Sequence, residues 1–180
     1  MPGYPVKPYN PIFPKLFENE KARLQNKLGQ AVEIEHFGST AVPGLAGKGF
    51  IDIYIVTDKE KMEEASLKLQ EMGYVRKDNA GEAGERIFHQ LELPDPIDGQ
   101  RTYHVHVTYR GNRNFEDCML FRDYLRTQPE DAKRYEEVKR RVDVATRDVV
   151  EKSEVKRLYN EIKGPVVKDV LEKARELSTK

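Results

Sequence analysis

The residue types that bind phosphate and metal gather in one stretch, residues 36–56, HFGSTAVPGLAGKGFIDIYIV. It opens as a short strand that stops at Gly38-Ser39-Thr40 and closes as an apolar strand carrying one acid, Asp52. A strand that ends in such a turn leaves backbone N–H groups unpaired and aimed at whatever lies beyond it. Gly38 permits close approach of an anion, Ser39 and Thr40 add hydroxyl donors, and Lys48 adds a charge. An acid between isoleucines needs a partner, and a metal ion, a lysine or an arginine would serve. A cation held by Asp52 and bridging to phosphates is the chemistry this pattern suits. The plain alternative is a tight turn followed by a capping aspartate.

Other chemistry-bearing residues lie further on. His104 and His106 are two apart, so they share one face of a strand. If that strand neighbours Asp52, two imidazoles and a carboxylate would suit Zn²⁺, Fe²⁺, Mn²⁺ or Ni²⁺ better than Mg²⁺. The alternatives are two structural histidines on a half-buried sheet, or one acting as a general base. His36 is expected to brace the loop through a hydrogen bond. Tyr159 and Lys163 are four apart and share a helical face, where they either contact the phosphate and base of a nucleotide or form a core tyrosine under a solvated lysine. Arg122 and Arg126 read as a solvated pair or as ion-pair partners, and Tyr135 as part of a core seam.

The elements that position these residues are legible from periodicity. Prolines at 2, 5, 8 and 11 make residues 1–13 an extended arm, which Tyr4, Tyr9, Ile12 and Phe13 pack along the body. Residues 14–29 read as a helix ending at Gly29, and 32–37 as a strand. Residues 50–56 form a strand apolar on both faces, hence central. A helix over 59–72 is capped by Asp58, and Tyr74-Val75 begins another strand. Arg86 to Leu93 and Arg101 to Tyr109 are strands joined by a long connection, PDPIDGQ. Helices follow over 114–127 and from Pro129, where Tyr135, Val138, Val142, Ala145 and Val149 form a seam. Ser153 caps a further helix through Lys163, and Gly164-Pro165 kinks or breaks it. The expectation is an α/β fold, a mixed sheet with helices packed on it and a helical C-terminal part, built as one domain over 1–180.

Composition narrows the partners. Lys+Arg and Asp+Glu balance at 31 each, so a general basic surface for nucleic acid is not indicated. The single cysteine, Cys118, excludes an intramolecular disulfide and any multi-cysteine metal site. No apolar run matches a signal peptide or a membrane span, so a cytoplasmic location is expected.

The stretch GSTAVPGLAGKGFIDI resembles the signature of the GrpB family, glutamate-rich protein GrpB. The resemblance runs nearly end to end, through YNPIFPKLFENEKARL, HVHV, FRDYLRTQPEDAKRYEEVKRRV and YNEIKGPVVKDVL. It departs at Gly49, where a proline is usual, and near His89, where a basic residue is usual. The resemblance implies a nucleotidyltransferase-like fold, in which two acids alternate on one strand to hold metal. Here the second acid position is Tyr54, and a phenol is a poor Mg²⁺ ligand at neutral pH. The expected function is binding of a nucleotide or another phosphorylated small molecule at Gly38, Ser39, Thr40, Lys48, Tyr159 and Lys163. A divalent metal (Mg, Mn or Zn) would be held by Asp52 with His104 or His106, and nucleotidyl transfer would use Asp52 as the catalytic acid. The alternatives are an accessory module that keeps the fold without the chemistry, and a metal-dependent enzyme of another class built on His104 and His106. Some relatives are fused to dephospho-CoA kinase, which implies a functional link to that enzyme.

Overall fold

In a computed structural model, which describes residues 6–178, the isoleucine alternation of residues 51–55 becomes an inner strand of a single sheet. Its five strands are β1 (Glu33–Phe37), β2 (Ile51–Thr57), β3 (Val75–Arg76), β4 (Ile87–Asp95) and β5 (Gly99–Tyr109), in the order β1-β2-β5-β4-β3. β2 and β5 run parallel, and the other pairs are antiparallel, so the sheet is mixed. The parallel register sets Asp52 opposite His104 and Tyr54 opposite His106. Ile51, Ile53 and Ile55 occupy the other face with Tyr103, Val105 and Val107. There they meet α1 (Phe13–Leu28) and α2 (Met62–Glu71) through Phe17, Leu24, Met62 and Leu69. All three isoleucines are fully buried, each contributing roughly 1.5–3 kcal/mol of apolar transfer.

The face that carries Asp52 meets α3 (Arg113–Thr127), α4 (Pro129–Thr146) and α5 (Lys152–Ser178), and is covered unevenly. Phe115, Cys118 and Met119 of α3 close over Tyr54 and Val56. Asn112 caps α3, its side-chain oxygen accepting from the Phe115 amide at 3.1 Å. The Asp52–His104 end of the same face is left open. Val42 and Leu45, from the loop between β1 and β2, join Leu125, Tyr135, Val138 and Val170 in a cluster that fastens the loop to the three helices.

Of the proline-rich arm, Pro2, Tyr4 and Pro5 lie outside the described residues. The following segment lies along the body: Lys7 and Gly47 exchange backbone hydrogen bonds of 2.8 and 3.0 Å, and Tyr9 and Ile12 pack on the core. Two expectations are corrected. The β4–β5 connection is short, because Asp95 accepts from the Ile97 and Asp98 amides at 2.8 and 2.7 Å and turns the chain at once. Buried Arg101 donates to the same carboxylate at 2.9 Å. The second correction is at Pro165, which lies inside one continuous helix, α5; Ser153 therefore lies within α5 instead of capping it. A proline there removes an N–H and crowds the Glu161 carbonyl, at a cost of about 3 kcal/mol. Beyond it Val166, Val170 and Ala174 are buried, and their packing carries the helix through. Before it, no described side chain from 153 to 164 is buried. Among the described residues no helix is long and apolar enough to cross a membrane.

Pro165→Ala restores the missing N–H without disturbing that packing. It is expected to raise the unfolding free energy by about 1–2 kcal/mol, read from urea denaturation. A loss of stability would mean that the proline stabilises a break and that α5 is two helices.

Candidate functional site

A cleft of about 390 Å³ opens where the loop between β1 and β2 passes over the uncovered end of the sheet, with α4 and α5 as its far wall. Gly38, Ser39, Lys48, Asp52, His104, Tyr159 and Lys163 all line it. Seven residues picked from three segments of sequence, 36–56, 104 and 159–163, are thus brought together. Thr40 and His106 are not among the lining residues.

The loop is fixed by short-range sterics and by side chains from three elements. Gly38 has φ 74°, and a Cβ on it would run into the Asp52 carboxylate Oδ2. Only glycine lets the backbone cross directly over that acid. Gly47 packs against Ser39 in the same way, since a Cβ there would overlap the serine Oγ. Ser39–Ala41 is a single 3₁₀ turn, whose first amides have no partner within the turn. Thr40 is buried and turned inward. Its hydroxyl donates to the Phe50 carbonyl at 2.8 Å, so the contact at 2.9 Å with His36 Nε2 is donated by the imidazole. Thr40 is therefore a brace of the loop and has no hydroxyl hydrogen to give a ligand. Burial, with Arg126 and Arg122 nearby, pushes the His36 pKa down to about 3, consistent with a neutral ring. The ring stacks on Phe17 at 4.6 Å.

The helices hold the loop from the other side. Arg122 donates to the His36 carbonyl at 2.8 Å and pairs with Glu35 at 2.6 Å. Arg126 donates to the Ala41 carbonyl at 2.9 Å. Glu136 accepts from the Ala46 amide at 2.9 Å, and Lys139 donates to the Ala46 carbonyl. The arginine pair is thus structural, as ion-pair partners and loop clamps.

Asp52 and His104 form a pair across the parallel strands. A carboxylate only accepts, so His104 Nδ1–H donates to Asp52 Oδ1, at 3.1 Å. In its neutral form that imidazole carries its lone pair on Nε2. His106 stands apart from this pair. Its Nδ1 accepts from the Arg86 guanidinium, and its ring is enclosed by Phe37, Tyr54 and Phe88. Burial, then Arg86 beside it, hold its pKa well below the usual value. The expected set of Asp52, His104 and His106 does not converge. Among the described residues no three His, Cys, Asp or Glu side chains group closely enough to hold a metal ion by themselves. Tyr54 is buried too, its hydroxyl donating to Asn114 Oδ1 at 2.9 Å, and burial raises its pKa. The position at which the resemblance implies a second acid is thus a tyrosine sealed under α3.

The far wall supplies cations. Lys163 donates to the Tyr159 hydroxyl at 2.5 Å and stands 5.4 Å from the Tyr135 ring centroid. Sequence reasoning missed Lys139, whose ammonium lies 5.1 Å from the same ring and beside Ser39 and Gly47. Burial, with Lys163 and Arg140 close by, lowers the Lys139 pKa from 10.5 to about 7, against the pull of Glu136. A signal was present, because Tyr135 and Lys139 have the same four-residue spacing as Tyr159 and Lys163. Lys48, exposed at the rim, adds a third cation. Asp52 and Asp143 are the acids of the lining.

A sequence model of the family described as GrpB protein matches residues 4–173. The chain belongs to the GrpB family. Among its relatives is the UPF0157 protein YqkA of Bacillus subtilis (strain 168), 36% identical over 136 residues, 74% of this chain and 38% of that protein. The dephospho-CoA kinase of Mycobacterium leprae is 32% identical over 149 residues, 68% of this chain and 36% of that protein. The chain thus spans well under half the length of either. The crystal structure of the conserved protein GrpB from Enterococcus faecalis superposes with a TM-score of 0.70 at 27% identity, covering 91% of this chain and 98% of that one. Gly49 and His89 do not themselves line the cleft, although Gly49 is flanked by Lys48 and Phe50, which do. The Gly49 carbonyl accepts from Arg101 at 2.9 Å. His89 is buried against α2, hydrogen-bonded to Ser66 at 2.9 Å.

Two measurements check this geometry. Gly38→Ala is expected to cost at least about 1–3 kcal/mol from the positive φ alone, plus the clash with Asp52. In an Asp52→Ala background the cost should fall, and a double-mutant cycle in urea that proves additive would refute the contact. Lys139 gives a pH signature. With a folded pKa near 7 against 10.5 unfolded, the unfolded state binds more protons between those values, so stability rises with pH across that window. The Lys139→Met protein should lack this rise and match or exceed wild-type stability at pH 7. Parallel stability–pH curves for the two proteins would show Lys139 to be unperturbed.

Proposed function

We propose that the cleft binds the phosphate groups of a nucleotide or another phosphorylated small molecule. The observation that carries this reading is the convergence of the Gly38-Ser39 turn with three lysines, Lys48, Lys139 and Lys163, in a lining whose acids are Asp52 and Asp143. Terminal phosphates would lie against the Ser39 hydroxyl and the turn's first amides, with the lysines balancing their charge. The volume falls within the range of small-molecule sites.

A divalent cation fits this arrangement in one form only. Mg²⁺ commonly binds through one or two carboxylates together with substrate phosphates. Asp52 supplies one carboxylate, and the ligand would supply the remaining charge. Such a cation would neutralise phosphate charge. A self-sufficient three-residue site is not supported. His104 Nε2 is the base nearest Asp52 in the lining, able to take a proton from an acceptor hydroxyl. Nucleotidyl transfer is the extension of this reading, limited to Asp52 and His104 by the loss of Tyr54 to the core. That same loss favours a second reading, an accessory module that keeps phosphate binding and serves a metabolic enzyme. The likeness to a dephospho-CoA kinase supports a link of that kind.

Thermal shifts with ATP, CTP, GTP, dephospho-CoA and pyrophosphate, each with and without Mg²⁺, Mn²⁺ or Zn²⁺, test the reading. At least one phosphorylated ligand should stabilise the protein, by about 2.7 kcal/mol at a hundredfold excess over its dissociation constant. Ser39→Ala should weaken the effect, and Asp52→Asn should remove its metal-dependent part. Absence of a shift with every ligand would overturn the proposal. A shift with Zn²⁺ alone, abolished in His104→Ala, would replace it with a histidine-based metal enzyme.

A further inference from the structure

The cleft at Asp52 adjoins a second cavity, of about 310 Å³, on the other side of Tyr135 and Lys163. The two spaces share Phe37, Gly38, Ser39, Tyr135 and Lys163. The hydroxyl-bearing Ser39 and Tyr135 and the Lys163 ammonium therefore line both. Beyond them the second cavity runs between α3 and α5, walled by Val42, Leu45, Phe121, Leu125, Val167 and Leu171. Packed interiors leave few voids larger than a water molecule, and an apolar space of this size beside a cationic cleft has the form of a ligand pocket.

Most polar groups along the apolar part of this cavity are engaged within the protein. Asp117 accepts from Arg175 at 2.6 Å. Arg122 is held by Glu35, Asp123 and the His36 carbonyl. Asn114 Oδ1 accepts from Tyr54, and Cys118 contacts the same two groups. A nucleobase placed here would bring donors and acceptors that largely go unmet, at a desolvation cost. A hydrocarbon chain or an unsubstituted aryl group carries no such cost and gains by leaving water.

We propose that this cavity binds the apolar moiety of an organic phosphate whose phosphate group lies at Ser39 and Lys163. The inference rests on the phosphate reading above and adds to it the class of ligand: an alkyl or aryl phosphate ester in place of a polar one. Lys163 is then the residue at the junction, its ammonium on the phosphate and its helix forming one wall of the apolar pocket.

The test uses inorganic phosphate, methyl, butyl and hexyl phosphate, and hexanol as the neutral control. Dissociation constants are read by calorimetry on the full chain. Cys118 lines the apolar cavity and is the chain's one cysteine, so its modification by methyl methanethiosulfonate reports occupancy directly. Affinity should tighten about fourfold for each methylene buried along the series. Hexyl phosphate should suppress Cys118 modification, while inorganic phosphate at equal saturation should not. Val167→Phe, which fills the pocket, should flatten the chain-length dependence. If inorganic phosphate binds, but methyl and hexyl phosphate bind equally and leave Cys118 reactive, this inference alone falls. Hexanol binding as tightly as hexyl phosphate would also overturn it, by separating the pocket from the phosphate. If neither inorganic phosphate nor any ester binds, the phosphate reading fails and takes the inference with it.

Discussion

The site depends on the backbone of Gly38 crossing directly over the Asp52 carboxylate. Glycine is required there, since φ is 74° and a Cβ would clash with Oδ2. The crossing does two things at once. It limits solvent on one side of an acid that is already flanked by fully buried isoleucines, and it starts the Ser39–Ala41 turn at that acid. Loop position and carboxylate position are therefore one variable. The clamps from Arg122, Arg126, Glu136 and Lys139 act on the loop at residues 36, 41 and 46 and so hold the acid's surroundings as well. A site held in this way needs little ordering when a ligand arrives, which favours affinity.

The sheet face beneath the loop is divided by α3. On one side of the division lie Asp52 and His104, paired with each other and reachable from the cleft. On the other, Tyr54 and His106 are locked among aromatic rings and an arginine. Alternate positions on a strand share a face, but a helix packed across that face can give them opposite fates. The i, i+2 rule predicts orientation and is silent about what covers it.

This explains which parts of the molecule were readable in the sequence. Strand β2, the loop glycines and the first three residues of the α4 seam, Tyr135, Val138 and Val142, were legible locally, whereas Ala145 is exposed and Val149 lies beyond the helix. The Asp52–His104 pair was legible once β2 and β5 were taken as neighbours, because a parallel register aligns residues of like orientation. The fate of His106 was not, since it is decided by Arg86, on the approach to β4, and by the rings of Phe37, Tyr54 and Phe88, which meet it through tertiary packing. Thr40 misled for a related reason: its type suits a phosphate loop, yet its hydroxyl is taken by a carbonyl ten residues away. Lys139 hid in plain view inside a hydrophobic seam, where a lysine reads as surface. The continuity of α5 through Pro165 depended on Val166 and Val170 finding a buried surface, which a helix-breaker rule does not weigh.

Helix α5 is secured unequally along its length. Its half beyond Pro165 is sewn into the core by Val166, Val170 and Ala174, while its first half, bearing Val155 and Tyr159, holds no buried side chain among those described. It is a beam fixed at one end, and its free end forms the outer lip of the cleft. From that first half Ile162 packs on the core cluster without being buried in it, and Pro165 already removes one backbone hydrogen bond at the point of bending. A rigid floor with a rim held at one end lets Tyr159 and Lys163 adjust to a bulky guest while Ser39 and Asp52 keep their places.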